Sequence, residues 1–150
     1  MDNDPTHLQA LAGHARMILD GKALEQSGAI CVRGSGADAQ VLLITSRDTG
    51  RWVIPRGNVE KREDPRQTAA REAKEEAGVS GKVSKKPIGY YTYLKSREGL
   101  ACLVSVYRLD VDKVKSDFPE AKTRQLVWVS PLEAARRVDE LELKGLFQQI

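Results

Sequence analysis

The sequence is poor in cysteine and has no long apolar run. Its 150 residues include two cysteines, Cys31 and Cys102, and neither has a second Cys or His at metal-ligand spacing. This argues against a disulfide-stapled secreted domain and predicts two buried thiols. The absence of an apolar run near ~18 residues argues against a membrane span. The length suits one domain with a single core.

The first residues also lack a targeting signal. Residues 1–22 begin with acidic side chains and have no long apolar centre, so we expect no signal peptide. Together with the two thiols, this predicts a cytoplasmic protein without a membrane partner.

Acidic residues are missing from one segment. Residues 80–97 contain five basic residues and no acidic one, although the net charge of the whole chain is +3. The preceding segment, residues 57–79, holds six acidic and five basic residues. A basic segment beside an acidic one suits a polyanionic substrate. A solvent-exposed, lysine-rich loop explains the same residues, and both interpretations stay open.

The acidic segment contains clear helix signals. Asp64 is a candidate N-cap, Pro65 suits the first helical position, and Gln67 completes a capping box. Gly78 is a typical stop signal. The spacing predicts a helix of about three and a half turns between them.

Three glutamates share one side of this helix. Glu72, Glu75 and Glu76 fall within an arc of about 100°. Their charges repel one another, and a hard divalent cation such as Mg²⁺ removes the conflict. The alternative is a solvent-exposed acidic face paired with Arg71 and Lys74. Beside the acids runs a stripe of small residues expected to press against a sheet, namely Ala70, Ala73 and Ala77.

This stretch resembles the signature of the Nudix hydrolase family. The signature has Gly, five residues, Glu, seven residues, and then Arg-Glu-apolar-any-Glu-Glu-any-Gly-apolar. It is matched by Gly57, Glu63, Arg71, Glu72, Glu75, Glu76, Gly78 and Val79. With residue usage of roughly 5%, seven identities coincide by chance on the order of 10⁻⁹ per start position. Ala73 replaces a larger aliphatic residue, which shrinks a core contact and leaves the acids unchanged.

The resemblance implies a fold and a chemistry. The fold is α/β, a Nudix-type α/β/α sandwich with a mixed β-sheet and the loop-helix on one side. The activity is Mg²⁺- or Mn²⁺-dependent hydrolysis of a nucleoside diphosphate linked to another group, or of a related pyrophosphate. Glu63 and Arg71 are implied to brace the loop. The implied metal ligands are the Gly57 carbonyl and the carboxylates of Glu72, Glu75 and Glu76.

The general base stays open at this point. In the family it comes from the helix or from a later loop. Glu76 represents the first possibility, and Glu98 and Glu120 are loop carboxylates that represent the second.

The residues before the box suggest a substrate class. The run VLLITSRDTGRWVIPRGNVE, residues 41–60, resembles the diphosphoinositol polyphosphate phosphohydrolase branch, which also includes diadenosine polyphosphate hydrolases. Dense negative charge needs several cations, and arginine suits bidentate phosphate contacts. A solvated surface charge explains each arginine alone equally well, and Arg56 stands where relatives often have Gly or Lys. The predicted substrate-binding group is Ser46, Arg47, Arg51 and Arg56.

The remaining chain fits a helical appendage followed by the domain. Residues 1–24 form the appendage, with a helix over 4–20, and residues 25–150 form the Nudix domain. Strands are predicted over 26–33, 39–46, 51–55, 82–94, 100–111 and 124–129, and helices over 131–137 and 139–149.

Other functions remain open. A nucleotide-sensing module without hydrolysis, an RNA 5′-pyrophosphohydrolase and a housecleaning enzyme for nucleoside triphosphates all fit the box. The sequence has no RNA-binding motif, so nucleic acid is not the expected partner. We expect a small-molecule polyphosphate as partner and a monomer or homodimer. One or two of Tyr90, Tyr91 and Tyr93 are candidates for stacking on a base.

Overall fold

In the computed structural model, residues 6–95 and 99–150 are described, and they form four α-helices, one short 3-10 helix (Gly36–Asp38) and eight strands. The helices are α1 (His7–Leu19), α2 (Pro65–Ala77), α3 (Pro131–Arg137) and α4 (Leu141–Phe147). The strands are β1 (Leu24–Arg33), β2 (Gln40–Thr45), β3 (Trp52–Val53), β4 (Arg56–Asn58), β5 (Val79–Val83), β6 (Gly89–Lys95), β7 (Leu100–Val114) and β8 (Leu126–Val129).

The strands form one mixed sheet, as predicted. At its centre β1 and β7 run parallel, from Leu24 paired with Cys102 to Val32 paired with Asp110. The opposite edge of β1 pairs antiparallel with β4 near its start and with β2 near its end. β3 and β8 pair with β2, while β5 and β6 pair with β7, all antiparallel. The pairing of β4 with β1 places Gly57 at the centre of the sheet, directly before α2.

Helices cover both faces of the sheet. Along β1 the side chains alternate: Ile30 and Val32 enter the core beneath α3 and α4, whereas Ala29 and Cys31 enter the core beneath α2. A sheet buried on both faces needs an apolar layer on each side, which explains the long buried runs of β1 and β2. The expected α/β/α sandwich is therefore confirmed.

The face of α2 that packs on the sheet differs from the prediction by one residue. Ala69, Ala73 and Ala77 are completely buried, whereas Ala70 is partly buried at the edge of that core. Residues at i, i+4 and i+8 lie on one side of a helix. The alanine stripe thus begins at Ala69, which turns the glutamates further towards β4 and the open edge of the domain.

The predicted strand over 82–94 is in fact two strands. β5 ends at Val83 and β6 begins at Gly89. Both pair with the 15-residue β7, β6 near the start of β7 and β5 near its end. The chain between them contains Pro87, which has no N–H for a strand ladder. Strand β4 was not predicted, because three residues within a loop carry no periodic pattern.

The N-terminal helix α1 lies against β6 and β7. Its His14 is buried, with Nδ1 2.6 Å from the Thr92 hydroxyl, and so packs α1 against β6. Whether residues 1–24 are an appendage stays a prediction. Both cysteines are buried within strands. Within the described ranges, no helix is long and apolar enough to cross a membrane.

Candidate active site

An open cavity of about 390 Å³ lies between α2, β4 and the loop that precedes β8. Acidic and basic side chains line it together. The acids are Glu60, Glu72, Glu75, Glu76 and Glu120. The bases are Arg47, Arg56, Arg71, Lys95 and Arg124. Helix α2 supplies three of the five acids, which we call the acidic wall, and strands and loops supply four of the five bases, which we call the basic wall.

A larger cavity of about 640 Å³ lies on the other flank of α2. Lys74, Lys113 and Phe118 are among its walls, and it shares Arg71 and Glu75 with the first cavity. Glu72 and Glu76 face away from it. The clustered carboxylates, rather than volume, mark the smaller cavity as the candidate site.

Helix α2 begins and ends as the sequence indicates. The Asp64 carboxylate accepts the N–H of Gln67 at 2.9 Å, and the Gln67 side chain accepts the N–H of Asp64 at 3.0 Å. Gly78 ends the helix with φ of 68°. A Cβ on Gly78 would lie 2.4 Å from the Lys115 carbonyl oxygen, so Gly is required there for two reasons. These caps fix the position of the three glutamates.

Arg71 holds the loop before α2 and two of the glutamates. Its Nε and Nη2 donate to the two Glu63 oxygens at 2.8 and 2.9 Å, and Nη1 donates to Glu72 at 2.8 Å and to Glu75 at 3.4 Å. Its hydrogen bond lowers the pKa of Glu63 to about 2. We call Arg71 with Glu60, Glu63, Glu72 and Glu75 the Arg71 cluster. It contains the Glu63–Arg71 pair expected from the sequence.

Glu76 is held by a second arginine. Its Oε1 accepts the main-chain N–H of Arg56 at 2.9 Å, and its Oε2 accepts from Arg124 Nη2. Arg124 also donates to Glu120 at 3.0 and 3.2 Å and to the Thr45 carbonyl at 2.9 Å. We call Arg124 with Glu76, Glu120 and the Thr45 carbonyl the Arg124 cluster. Sequence reasoning missed Arg124, since a single arginine in a charged loop carries no pattern.

The carboxyl groups of Glu72 and Glu76 are destabilised as anions. Burial raises the pKa of Glu76 to about 8, and repulsion from Glu72 and Glu120 adds to this against the opposing effect of Arg124. Burial also raises the pKa of Glu72, against the effect of Arg71. Two buried acids that share one cavity favour an added positive charge.

Three of the four predicted substrate-binding residues lie together. Ser46, Arg47 and Arg56 line a recess of about 200 Å³ that continues from the main cavity and also reaches Glu76, Lys95 and Arg124. The structure places Arg51 apart from them, and its part in substrate binding stays a prediction. Its Nη2 donates to the buried Glu140 at 2.6 Å, because a buried carboxylate needs a counter-ion.

The tyrosines of β6 differ in their surroundings. Tyr91 is fully buried and its hydroxyl lies 3.3 Å from Arg56 Nη1. The guanidinium of Arg56 lies 4.0 Å from the centre of the Tyr93 ring. Tyr90 is 55% exposed on the other side of the strand. Tyr91 therefore cannot stack on a substrate base, and the ring of Tyr93 is already covered by Arg56.

Two of the three candidate general bases line the cavity. Glu76 and Glu120 do so, and Glu98 lies outside the described residues. Of the basic segment after α2, Lys95 reaches the cavity, whereas Lys82 lies on β5 at a distance from it.

The residues of the cavity fit a hard divalent cation. Within residues 6–95 and 99–150, no three His, Cys, Asp or Glu side chains converge as a metal site as they stand, since Arg71 and Arg124 take up the carboxylates. A Cβ on Gly57 would lie 2.1 Å from Glu72 Oε1, so the main chain lies directly against that carboxylate. Carboxylate and carbonyl oxygens are the ligands that Mg²⁺ prefers. The assignment of Gly57, Glu72, Glu75 and Glu76 as ligands stays a prediction.

Comparison with known proteins agrees with this geometry. The family model described as NUDIX domain matches residues 25–149. The rat diphosphoinositol polyphosphate phosphohydrolase 2 is 39% identical over 61 residues, which is 41% of this chain and 34% of that protein. Nudix hydrolase 16, mitochondrial, of Arabidopsis thaliana is 37% identical over 67% of this chain and 58% of its own length. Each match spans less than two thirds of the relative.

Solved structures show the same fold at low identity. A Caenorhabditis elegans Ap4A hydrolase in a binary complex has a TM-score of 0.66 at 21% identity, covering 85% of this chain and 94% of that one. A Nudix family hydrolase from Clostridium perfringens has a TM-score of 0.66 at 18% identity, covering 83% and 96%. At such identities the agreement concerns the arrangement of the sheet and helices.

Proposed function

This chain belongs to the Nudix family, and from that premise we propose that it is a Mg²⁺-dependent pyrophosphohydrolase. It would cleave a phosphoanhydride bond by attack of water on phosphorus. The observation that carries the proposal is that one cavity is lined by both groups, the acidic wall on α2 and the basic wall from strands and loops. An acidic wall suits a divalent cation, and a basic wall suits phosphate oxygens.

The acidic wall would hold the cation through a small set of oxygens. These are the Gly57 carbonyl and the carboxylates of Glu72, Glu75 and Glu76. When bound, the cation supplies positive charge where negative charge develops on the phosphate oxygens. The chain itself contributes the capped helix α2 and the Glu63–Arg71 ion pair. This ion pair fixes the position of the loop relative to the helix.

The base that takes the proton from water is Glu76 or a loop carboxylate. Of the two loop carboxylates considered as bases, Glu120 borders the cavity and Glu98 lies outside the described residues. Arg124 holds Glu120 at 3.0 Å and Arg47 lies 3.5 Å from it, so its position is set from two sides. A variant of each acid separates the two assignments, because loss of a base removes the ascending limb of the pH–rate profile.

The basic wall points to a densely phosphorylated substrate. Arg47, Lys95 and Arg124 come from three different segments and meet at one opening. Several cations at one opening match a compound with adjacent phosphate groups better than a substrate with a single pyrophosphate. We propose a diphosphoinositol polyphosphate or a diadenosine polyphosphate, the classes named in the rat relative and in the C. elegans structure.

We further expect the protein to act in the cytoplasm as a monomer or homodimer. A thiol such as the buried Cys31 stays reduced in that compartment.

A Mg²⁺-dependent hydrolysis panel tests the proposal. It contains a diphosphoinositol polyphosphate, diadenosine tetra- and hexaphosphate, a nucleotide sugar, a nucleoside triphosphate and a 5′-triphosphate RNA. Glu76→Gln serves as the blank. Glu133→Gln is the matched control, because Glu133 is a carboxylate on α3 whose partners are Arg136 and Arg137.

The expected result is turnover of the first two classes, lost on removal of Mg²⁺ with EDTA and in Glu76→Gln, and kept in Glu133→Gln. Activity confined to RNA or nucleoside triphosphates would keep the hydrolase and overturn the substrate class. Cation and nucleotide binding without turnover of any compound would instead support a nucleotide-sensing module.

A further inference from the structure

The Glu76 carboxylate has donors on both of its oxygens. The main-chain N–H of Arg56 donates to Oε1 at 2.9 Å, and Arg124 Nη2 donates to Oε2. The Glu76 side chain is 5% exposed, so solvent screens these contacts weakly. A cation that approaches Glu76 meets a carboxylate that already has a positively charged partner.

The two donors differ in how readily they can leave. The N–H of Arg56 belongs to β4, where Arg56 pairs with Gly28 of β1, so its departure would disrupt the sheet. The Arg124 guanidinium keeps other partners when it leaves Glu76. Its Nε and Nη2 donate to Glu120 at 3.2 and 3.0 Å, and its Nη1 donates to the Thr45 carbonyl at 2.9 Å. A small rotation of the guanidinium releases Glu76 without leaving a buried charge unpaired.

Electrostatic repulsion makes this release necessary. A guanidinium and a divalent cation on one carboxylate repel each other strongly where the surroundings are poorly hydrated. The side chain of Arg124 is 8% exposed, so its charge remains largely unscreened. Full occupancy of Glu76 by a cation therefore requires that Arg124 withdraw.

We propose that Arg124 competes with the divalent cation for Glu76 and withdraws onto Glu120 when the cation binds. This rests on the proposed cation site. Arg124 is thus a positioning residue that keeps the buried carboxylate paired until a cation replaces it. Arg71 also donates to two proposed ligands, Glu72 and Glu75, but its bidentate contact is to Glu63. Its side chain is 24% exposed, so solvent screens its charge more than that of Arg124.

Direct cation binding tests the proposal. Mn²⁺ binding is measured by electron paramagnetic resonance and titration calorimetry at about pH 7.5 and pH 8.5 for every variant, because protons compete with the cation for a carboxylate whose pKa is raised to about 8. Coupling between competing ligands is reciprocal. Glu76 without its internal partner should therefore bind Mn²⁺ on the order of tenfold more tightly in Arg124→Gln than in the wild type. Equal or weaker binding in a variant that still unfolds cooperatively would overturn the proposal.

Arg47→Gln is the matched control. It removes the same charge from the same cavity, but Arg47 contacts Glu120 rather than Glu76. Its effect on Mn²⁺ affinity should stay below about threefold, the range for an exposed ion pair. If Arg47→Gln tightens binding as much as Arg124→Gln does, general electrostatics explains the result and the competition is refuted.

A second measurement uses the wild-type protein and does not depend on how a variant folds. Nitrogen-15 NMR of the Arg124 guanidinium should show a shift of its Nη signals on addition of saturating Mg²⁺, as the contact with Glu76 is lost. Unchanged signals at saturation would refute the withdrawal. If the wild type binds no divalent cation at all, the proposed function fails as well. If the wild type binds a divalent cation and the Arg124 results are negative, the competition is refuted and the proposed function is unaffected.

Discussion

The Arg71 cluster and the Arg124 cluster both bind carboxylates of α2, yet they are built differently. Arg71 is 24% exposed and contacts acids that all lie between residues 60 and 75. Arg124 is 8% exposed and joins Glu76 on α2 to Glu120 and to the Thr45 carbonyl at the end of β2. One cluster is local and partly hydrated, and the other links three separate segments in a buried setting.

This difference indicates separate duties. The local cluster, that of Arg71, holds the loop against the helix. Substitution of one of its residues should loosen that loop, while water solvates the remaining charged groups. The long-range cluster, that of Arg124, balances charges that are buried. Substitution of one of its residues therefore leaves a buried charged group without a counter-ion. Four substitutions, given in order of decreasing expected effect, test whether the two clusters have these different roles.

Glu76→Gln removes the acid of the long-range cluster. A neutral amide is a poor ligand for a hard cation, so turnover should fall about 10³-fold, the upper range for loss of one group that stabilises developing charge. Initial rates at saturating Mg²⁺ measure the loss, and circular dichroism checks that the fold is kept. Near-wild-type activity in the folded variant would refute the role of Glu76.

Glu63→Gln opens the local cluster. Arg71 then loses its bidentate partner and no longer fixes the loop between β4 and α2, which should lower Mn²⁺ affinity and activity about 10- to 100-fold. Glu60→Gln is the matched control, since Glu60 lies 3.6 Å from Arg71 and is 64% exposed. Equal losses in the two variants would show that net charge matters rather than the bidentate brace.

Arg47→Ala and Arg51→Ala compare a cation inside the cavity with one outside it. Arg47→Ala should raise KM about fivefold for a diadenosine polyphosphate, as expected for ~1 kcal/mol at an exposed site, and should change KM for a nucleotide sugar less. Arg51→Ala should leave both KM values near the wild type and lower thermal stability, because it strands the buried Glu140. The reverse pattern would restore Arg51 to the substrate-binding group.

The Arg71 cluster should also make the free energy of unfolding depend on pH. The pKa of Glu63 lies near 2 in the folded state, below its ordinary value of 4.5. Its contribution to the free energy of unfolding is therefore fully present above pH 4.5 and is lost as the pH falls towards 2. Urea unfolding of wild type and Glu63→Gln should show a stability gap at pH 7 that narrows below pH 4.5. A gap that is constant with pH would contradict the ion pair.

The local cluster and its helix were predictable from sequence, and the long-range cluster was not. The caps at Asp64 and Gly78 follow from spacing, and the resemblance to the family implied the Glu63–Arg71 pair. Glu76 and Arg124 are 48 residues apart, and nothing in the sequence states that they meet. The position of Arg51 could not be predicted for the same reason, since its partner Glu140 lies 89 residues away. Contacts of that range depend on the whole fold.

The parallel pairing of β1 with β7 has a consequence for how the site assembles and comes apart. It joins residues 78 positions apart, such as Ser27 and Ser105, and encloses α2 and β4 within one closed loop of chain. Closing such a loop is entropically costly and slows folding relative to local contacts. Glu76 therefore meets Arg124 only as distant segments join, whereas Glu72 and Glu75 meet Arg71 within the helix. Amide hydrogen exchange on α2 should accordingly follow global unfolding rather than local opening.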